Sequence, residues 1–198
     1  MNELSNKTFK EIKKIMRENN VNIKESKNKD LKDLYLVISK TDDTVIQKEC
    51  NGMIFEKETN KIVCSCQNKF EQVTESVWTK ESGDIMEYCE DGTLIRLYNY
   101  NGIWYTATTK MIDAKLSYWN NEELSFDKMF WELFDSVNIE MLDEQFTYIF
   151  ILLHSENKIV KNHSVNKLLF VNKINNETQI VTNKDTFVNI TNPIVIKE

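Results

Sequence analysis

Residues 86–110 read MEYCEDGTLIRLYNYNGIWYTATTK, and the fold of the chain turns on this stretch. Asn101-Gly102 is the pair best suited to positive φ angles in a tight primed turn, so TLIRLYNY and IWYTATT fold back on each other as a hairpin. A two-residue loop there puts Tyr98, Tyr100, Ile103 and Tyr105 on one face and Ile95, Leu97 and Trp104 on the other. Both faces carry apolar groups, which predicts a hairpin covered on both sides. Just upstream, EDGT is a sharp acidic turn. A cysteine, Cys89, stands immediately before it.

Working outward, residues 2–19 show Phe9, Ile12, Ile15 and Met16 at helical spacing, with Ser5 as the expected N-cap. The polar residues 20–30 read as a surface connection. LYLVISK is a strand, and MIFEK and KIVCSC form a hairpin around Glu58-Thr59-Asn60. A helix is expected over 125–137, where Phe126, Met129, Phe130, Leu133 and Phe134 make an apolar stripe suited to core packing. FTYIFILL is a buried strand, and KLLFVNKI with TQIVT makes a late hairpin joined at Asn175-Asn176-Glu177. The chain is therefore α+β and strand-rich, with helices packed on the sheet. No internal repeat is visible.

The 198 residues suffice for one domain with a proper core, or one domain plus a small appendage. We divide them into an N-terminal helix and connection, 1–33, and a main domain, 34–198. Only four glycines and one proline argue against a long flexible linker. A net charge of -6 opposes non-specific nucleic-acid binding over the whole surface, while 25 Lys and Arg leave room for a local basic groove. The N-terminus has no signal-peptide core, and the longest apolar run is too short to cross a membrane. With four cysteines and no leader, the expectation is a cytoplasmic protein with free thiols and no membrane partner. Cys64 and Cys66, two apart on one strand face, have only His154 and His163 as further ligands without paired spacing, so no metal site is expected.

Several segments fall in the order and spacing of one family: ECNGMIFEKETNKIVC at 49–64, NKF at 68–70, EYCEDGTLIRLY at 87–98, ATTK at 107–110 and FILLHSENKIV at 150–160. Over about residues 34–182 the chain resembles the adenylation domain of ATP-dependent RNA ligases of the phage RNA-repair type, which are covalent nucleotidyltransferases. The resemblance implies a nucleotidyltransferase (ATP-grasp-like ligase) fold, incomplete at its C-terminus. In that family a K-x-D-G lysine attacks the α-phosphorus of ATP, and the AMP passes to an RNA 5′-phosphate.

Here that lysine is Cys89, followed by the matching Glu90, Asp91 and Gly92. The arginine of the family's R-G segment is Asn51, and the glutamate of its F-E segment, which contacts the nucleoside sugar, is Ile151. Lys69 and Phe70 match the K-F segment, Lys110 the T-K segment and Lys158 the N-R-I-V tail. The acidic E-G motif and the terminal K-x-K pair are not visible. The resemblance thus implies a domain whose catalysis is lost. Nucleotide or RNA-phosphate contacts would be kept by Lys69, Phe70, Glu90, Asp91, Gly92, Lys110 and Lys158, and a protein partner is the further option. ATP and Mg enter only if nucleotide binding is retained. The rival readings are an active ligase using another lysine (Lys80, Lys69 or Lys110) or a partner subunit, a Cys89 thiolate nucleophile, and a purely structural interaction protein. Against the ligand reading, Asp91 and Gly92 are expected to hold the turn.

Overall fold

The computed structural model of the chain describes residues 7–67, 87–120, 122–157, 164–183 and 185–195. Two antiparallel sheets dominate it. The first, in the order β1-β2-β3-β4, is built from Val21–Glu25, Leu34–Ser39, Ile54–Glu56 and Ile62–Cys64. The second, in the order β6-β5-β7-β8-β9, uses β5 (Thr93–Tyr100), β6 (Ile103–Ala107), β7 (Phe146–Leu153), β8 (Lys167–Asn175) and β9 (Val181–Thr182). Among the described residues three α-helices accompany them: α1 (Phe9–Glu18), α2 (Val45–Cys50) and α3 (Phe126–Leu133).

The hairpin reading holds in detail. Tyr98 pairs with Tyr105 and Tyr100 with Ile103, and Asn101 and Gly102 take φ of 54° and 76°. Its two faces meet different cores. Tyr98, Tyr105 and Ala107 pack against Leu34, Leu36, Ile54 and Cys64, which places the two sheets face to face. Ile95 and Leu97 join Phe126, Met129, Phe130, Tyr148, Phe150 and Phe170 beneath α3. The apolar stripe of α3 is therefore core, and Ser125 caps it by accepting the Lys128 N–H. Tyr98 is fully buried, and its hydroxyl donates to the Ile112 carbonyl at 2.9 Å.

Four local expectations need correction. α1 begins at Phe9 and is capped by Thr8, not Ser5: the Thr8 hydroxyl accepts the Glu11 N–H while Glu11 reaches back to the Thr8 N–H, a reciprocal capping box. Residues 20–30 are more than a connection, because β1 lies within them and pairs along its whole length with β2. α2 was not anticipated, although Thr44 and Gln47 form a second capping box. Finally, Cys64 and Cys66 do not share a face. Cys64 sits between the sheets, whereas Cys66, past the end of β4, joins the α1 core with Ile12, Met16 and Tyr35.

Candidate functional site

The motif-like turn 90–93 lies at one end of the space between the sheets, at the start of β5. Gly92 fits there because nothing larger would. A Cβ on it would lie 2.6 Å from Ile151 Cγ2, 2.6 Å from Leu153 Cδ2 and 2.8 Å from the Leu152 carbonyl. Gly92 and Ile151, the positions of the motif glycine and the missing glutamate, are thus in contact, and Ile151 pairs with Leu94 in the ladder. Thr93, next in the turn, accepts a hydrogen bond from the Asn157 side-chain amide at 2.7 Å. That bond ties EDGT to the start of the NKIV segment.

Two side chains 64 residues apart in sequence therefore meet here. Glu90 and Asp91 are half-buried in the turn. Cys89 is exposed on the strand-like approach to β5, beside the hydrogen bond from the Tyr88 N–H to the Ile194 carbonyl.

Asn51 does not take the place of a cleft cation. Its Oδ1 accepts the Ser39 N–H at 2.8 Å, so it fastens the turn after α2 to the end of β2. Lys110 lies exposed in the tight turn between Thr108 and Met111. Its carbonyl accepts from Lys24 Nζ, which fixes the backbone and leaves the ammonium outward. Lys69, Phe70, Lys80, Lys158 and His163 lie outside the described residues.

The residue that organises this end is one the motif reading passed over. Arg96 on β5 is fully buried and is among the largest side chains so enclosed. By strand alternation it points with Leu94 and Tyr98 toward the first sheet. There its Nη1 donates to the Gly52 carbonyl and to the Ser65 carbonyl at 3.2 Å, and its Nη2 donates to the Thr108 carbonyl at 2.6 Å. These three acceptors belong to the N-G turn, to the end of the Cys64-Ser65-Cys66 run and to the ATTK segment.

Among the described residues no carboxylate pairs with Arg96, and its Nε has no partner. Among the described residues its charge is met by main-chain dipoles. The geometry requires close approach, and Gly52 provides it: φ is 82°, and a Cβ would fall 2.6 Å from Cys66 Sγ. The signal available beforehand was a charge inside the apolar run TLIRLY, in phase with Tyr98.

The other polar groups here are structural. Burial pushes the Cys64 thiol up to about 11, and Cys50 likewise to about 11, so both are neutral packing groups. His154, buried just past β7, is held below its ordinary value by desolvation; the Glu156 N–H donates to its Nδ1 at 3.1 Å. Among the described residues no group of three or more His, Cys, Asp or Glu is arranged to hold a metal ion. Of the motif positions described, 151 is an isoleucine beside Gly92, and the Arg96 guanidinium lies between the Gly52, Ser65 and Thr108 segments.

No protein-family model matches the chain, and no curated protein matches it either. Among solved structures it is similar to one described as "Putative ATP-dependent DNA ligase from Aquifex aeolicus", with a TM-score of 0.56 at 12% sequence identity. The match covers 94% of this chain and 50% of that one, so the chain spans about half the length of the ligase it resembles. At this identity the likeness concerns the fold: an α+β, nucleotidyltransferase-like ligase architecture of two antiparallel sheets. No helix among the described residues is long and apolar enough to cross a membrane.

Proposed function

We propose that the chain is an RNA-ligase-like domain that no longer adenylylates itself, and that it serves as a binding module for a nucleotide or RNA-end phosphate. The observation that carries the loss of self-adenylylation is Arg96, whose buried guanidinium cross-links three of the segments expected around the chemistry. Cys89 in place of the motif lysine and Ile151 in place of the sugar-contacting acid point the same way. Lysyl-AMP chemistry needs an amine that can be deprotonated and aimed at phosphorus. The exposed thiol of Cys89 offers no such group. The binding half of the reading rests on Lys110, which stands outward on a turn anchored by Arg96 through Thr108. A lysine so held is a serviceable phosphate contact without any chemistry.

The test has two arms. Pure protein incubated with α-labelled ATP and Mg should form no covalent band, and Cys89→Lys alone should form none either, because Ile151 and Arg96 remain. A band lost on substitution of Lys69, Lys80 or Lys110 would establish an active enzyme instead. In the second arm, 5′-phosphorylated RNA should bind with an affinity that falls as salt rises, and Lys110→Ala should shallow that dependence by about one counterion. Absence of binding to both ATP and RNA at low salt would leave a structural interaction protein.

A further inference from the structure

At the opposite end of β5 the two sheets part to form a groove of about 540 Å³, lined on the first sheet by residues 55, 56 and 60–63 of the 49–64 segment. Its volume is that of a typical ligand or peptide site. The floor is apolar, from Phe55, Ile62, Val63 and the ring of Tyr100. The rim is acidic: among the described residues Glu56, Glu144 and Glu177 line it against one ammonium, that of Lys61. Asn99 also lines it. The Asn99 Oδ1 accepts the Gly102 N–H at 3.0 Å, which settles the orientation of the amide and turns its Nδ2 the other way. Among the described residues that Nδ2 is buried and has no acceptor. Tyr100 cannot accept a charge in its place, since burial and then the hydrogen bond it donates to Glu56 Oε1 (3.1 Å) keep the phenol protonated.

We infer that this groove binds a basic segment of a partner protein in extended form, with a lysine or arginine stem along the apolar floor and its cation among the glutamates. Two independent features select that occupant. Three carboxylates facing one ammonium favour a cation, and a long aliphatic stem suits a floor of Phe, Ile and Val. Asn99 lines the groove, so its side-chain resonances report occupation of it. A nucleic-acid strand is disfavoured by the same glutamates.

The experiment uses the full chain with acetyl-tetralysine amide, a matched tetraglutamate peptide, and spermine, which carries as many ammonium groups without carbonyls. Tetralysine should bind with salt-sensitive affinity and shift the Asn99 side-chain NH2 resonances, and tetraglutamate should do neither. Glu144→Gln and Glu177→Gln should each weaken binding by up to about fivefold, as for exposed ion pairs. Both positions are exposed, so unchanged melting would separate lost affinity from lost fold. Should either variant unfold, the salt dependence of the unmodified chain gives the same answer. The inference is overturned if tetralysine fails to bind, if the two variants bind it undiminished, or if spermine moves the Asn99 resonances equally.

Discussion

At Arg96 the space between the sheets is filled by a guanidinium; four residues further along the same strand, roughly 13 Å at strand spacing, Tyr100 borders an open groove. The filled end has a buried cation answered by three carbonyls, and the open end has carboxylates in excess over ammonium. Between them, Asn176 and Thr147 bridge the sheets: both the Thr147 and Ser65 hydroxyls donate to Asn176 Oδ1, and Asn176 Nδ2 donates to the Val63 carbonyl. One pair of sheets therefore carries two opposite electrostatic solutions. Hydrogen bonds from Arg96 close one end among the described residues, and the end bordered by Tyr100 is open.

Removing the guanidinium is the most forceful way to break that contrast. Arg96→Met keeps most of the stem and strips the donors from the Gly52, Ser65 and Thr108 carbonyls. Each buried acceptor left alone costs about 1–3 kcal/mol, so we expect a loss of roughly 3–5 kcal/mol, near the upper range for single substitutions. It would appear as a lower urea midpoint at constant slope. Arg96→Lys should fall between, because one ammonium cannot span three segments with the geometry of a planar fork. Glu144→Gln, at the open end, should stay within about 0.5 kcal/mol. An Arg96→Met protein as stable as the parent would mean that desolvation of the cation cancels its hydrogen bonds. Arg96 would then not be what binds the sheets together.

A smaller effect sharpens the same end. Gly92→Ala forces a Cβ against two side chains of β7 and against the Leu152 carbonyl at 2.8 Å. The side chains can give, but the carbonyl belongs to the ladder, so a cost of about 1–3 kcal/mol is expected. Adding Ile151→Ala should relieve only the side-chain share, and a double-mutant cycle would read the coupling directly. Full recovery in the double variant would show that Ile151 alone, rather than the closeness of the backbone, makes position 92 a glycine.

The parts of the fold legible in the sequence were those whose determinants are local. Asn101-Gly102 fixed one hairpin by its φ preferences, and the spacing of Phe126, Phe130 and Phe134 revealed α3. β1 was missed because VNIKE is short and buries only Val21 fully, so its polar residues read as a loop. α2 was missed because six residues carry too little periodicity, although its Thr44/Gln47 box was present to be read. At the site, segment order brought Gly92, Ile151, Thr93 and Asn157 into one neighbourhood. Arg96 escaped for a different reason: its partners are three carbonyls, and main-chain acceptors leave no mark in a sequence.

The gentlest probe is pH, and it should report on the filled end alone. His154 closes β7 there, two residues beyond Leu152, and desolvation holds its imidazole below the ordinary 6.5 despite Glu132 and Glu156, which pull it up. Between 6.5 and that lower value the unfolded chain takes up a proton that the folded chain refuses. Stability is thus complete above about 6.5 and declines as pH falls through the folded value. Glu11, held low first by the Thr8 hydroxyl, and Glu25, held low by Lys13 and Lys57, act below their ordinary 4.5 and leave this window clear. Tyr100 at the open end titrates only above 10. Urea midpoints measured from pH 7.5 to 5.5 should therefore fall with acidity in the parent and flatten in His154→Gln. A slope that survives the substitution would move the proton uptake to another residue, and the two ends would no longer differ in how they answer to acid.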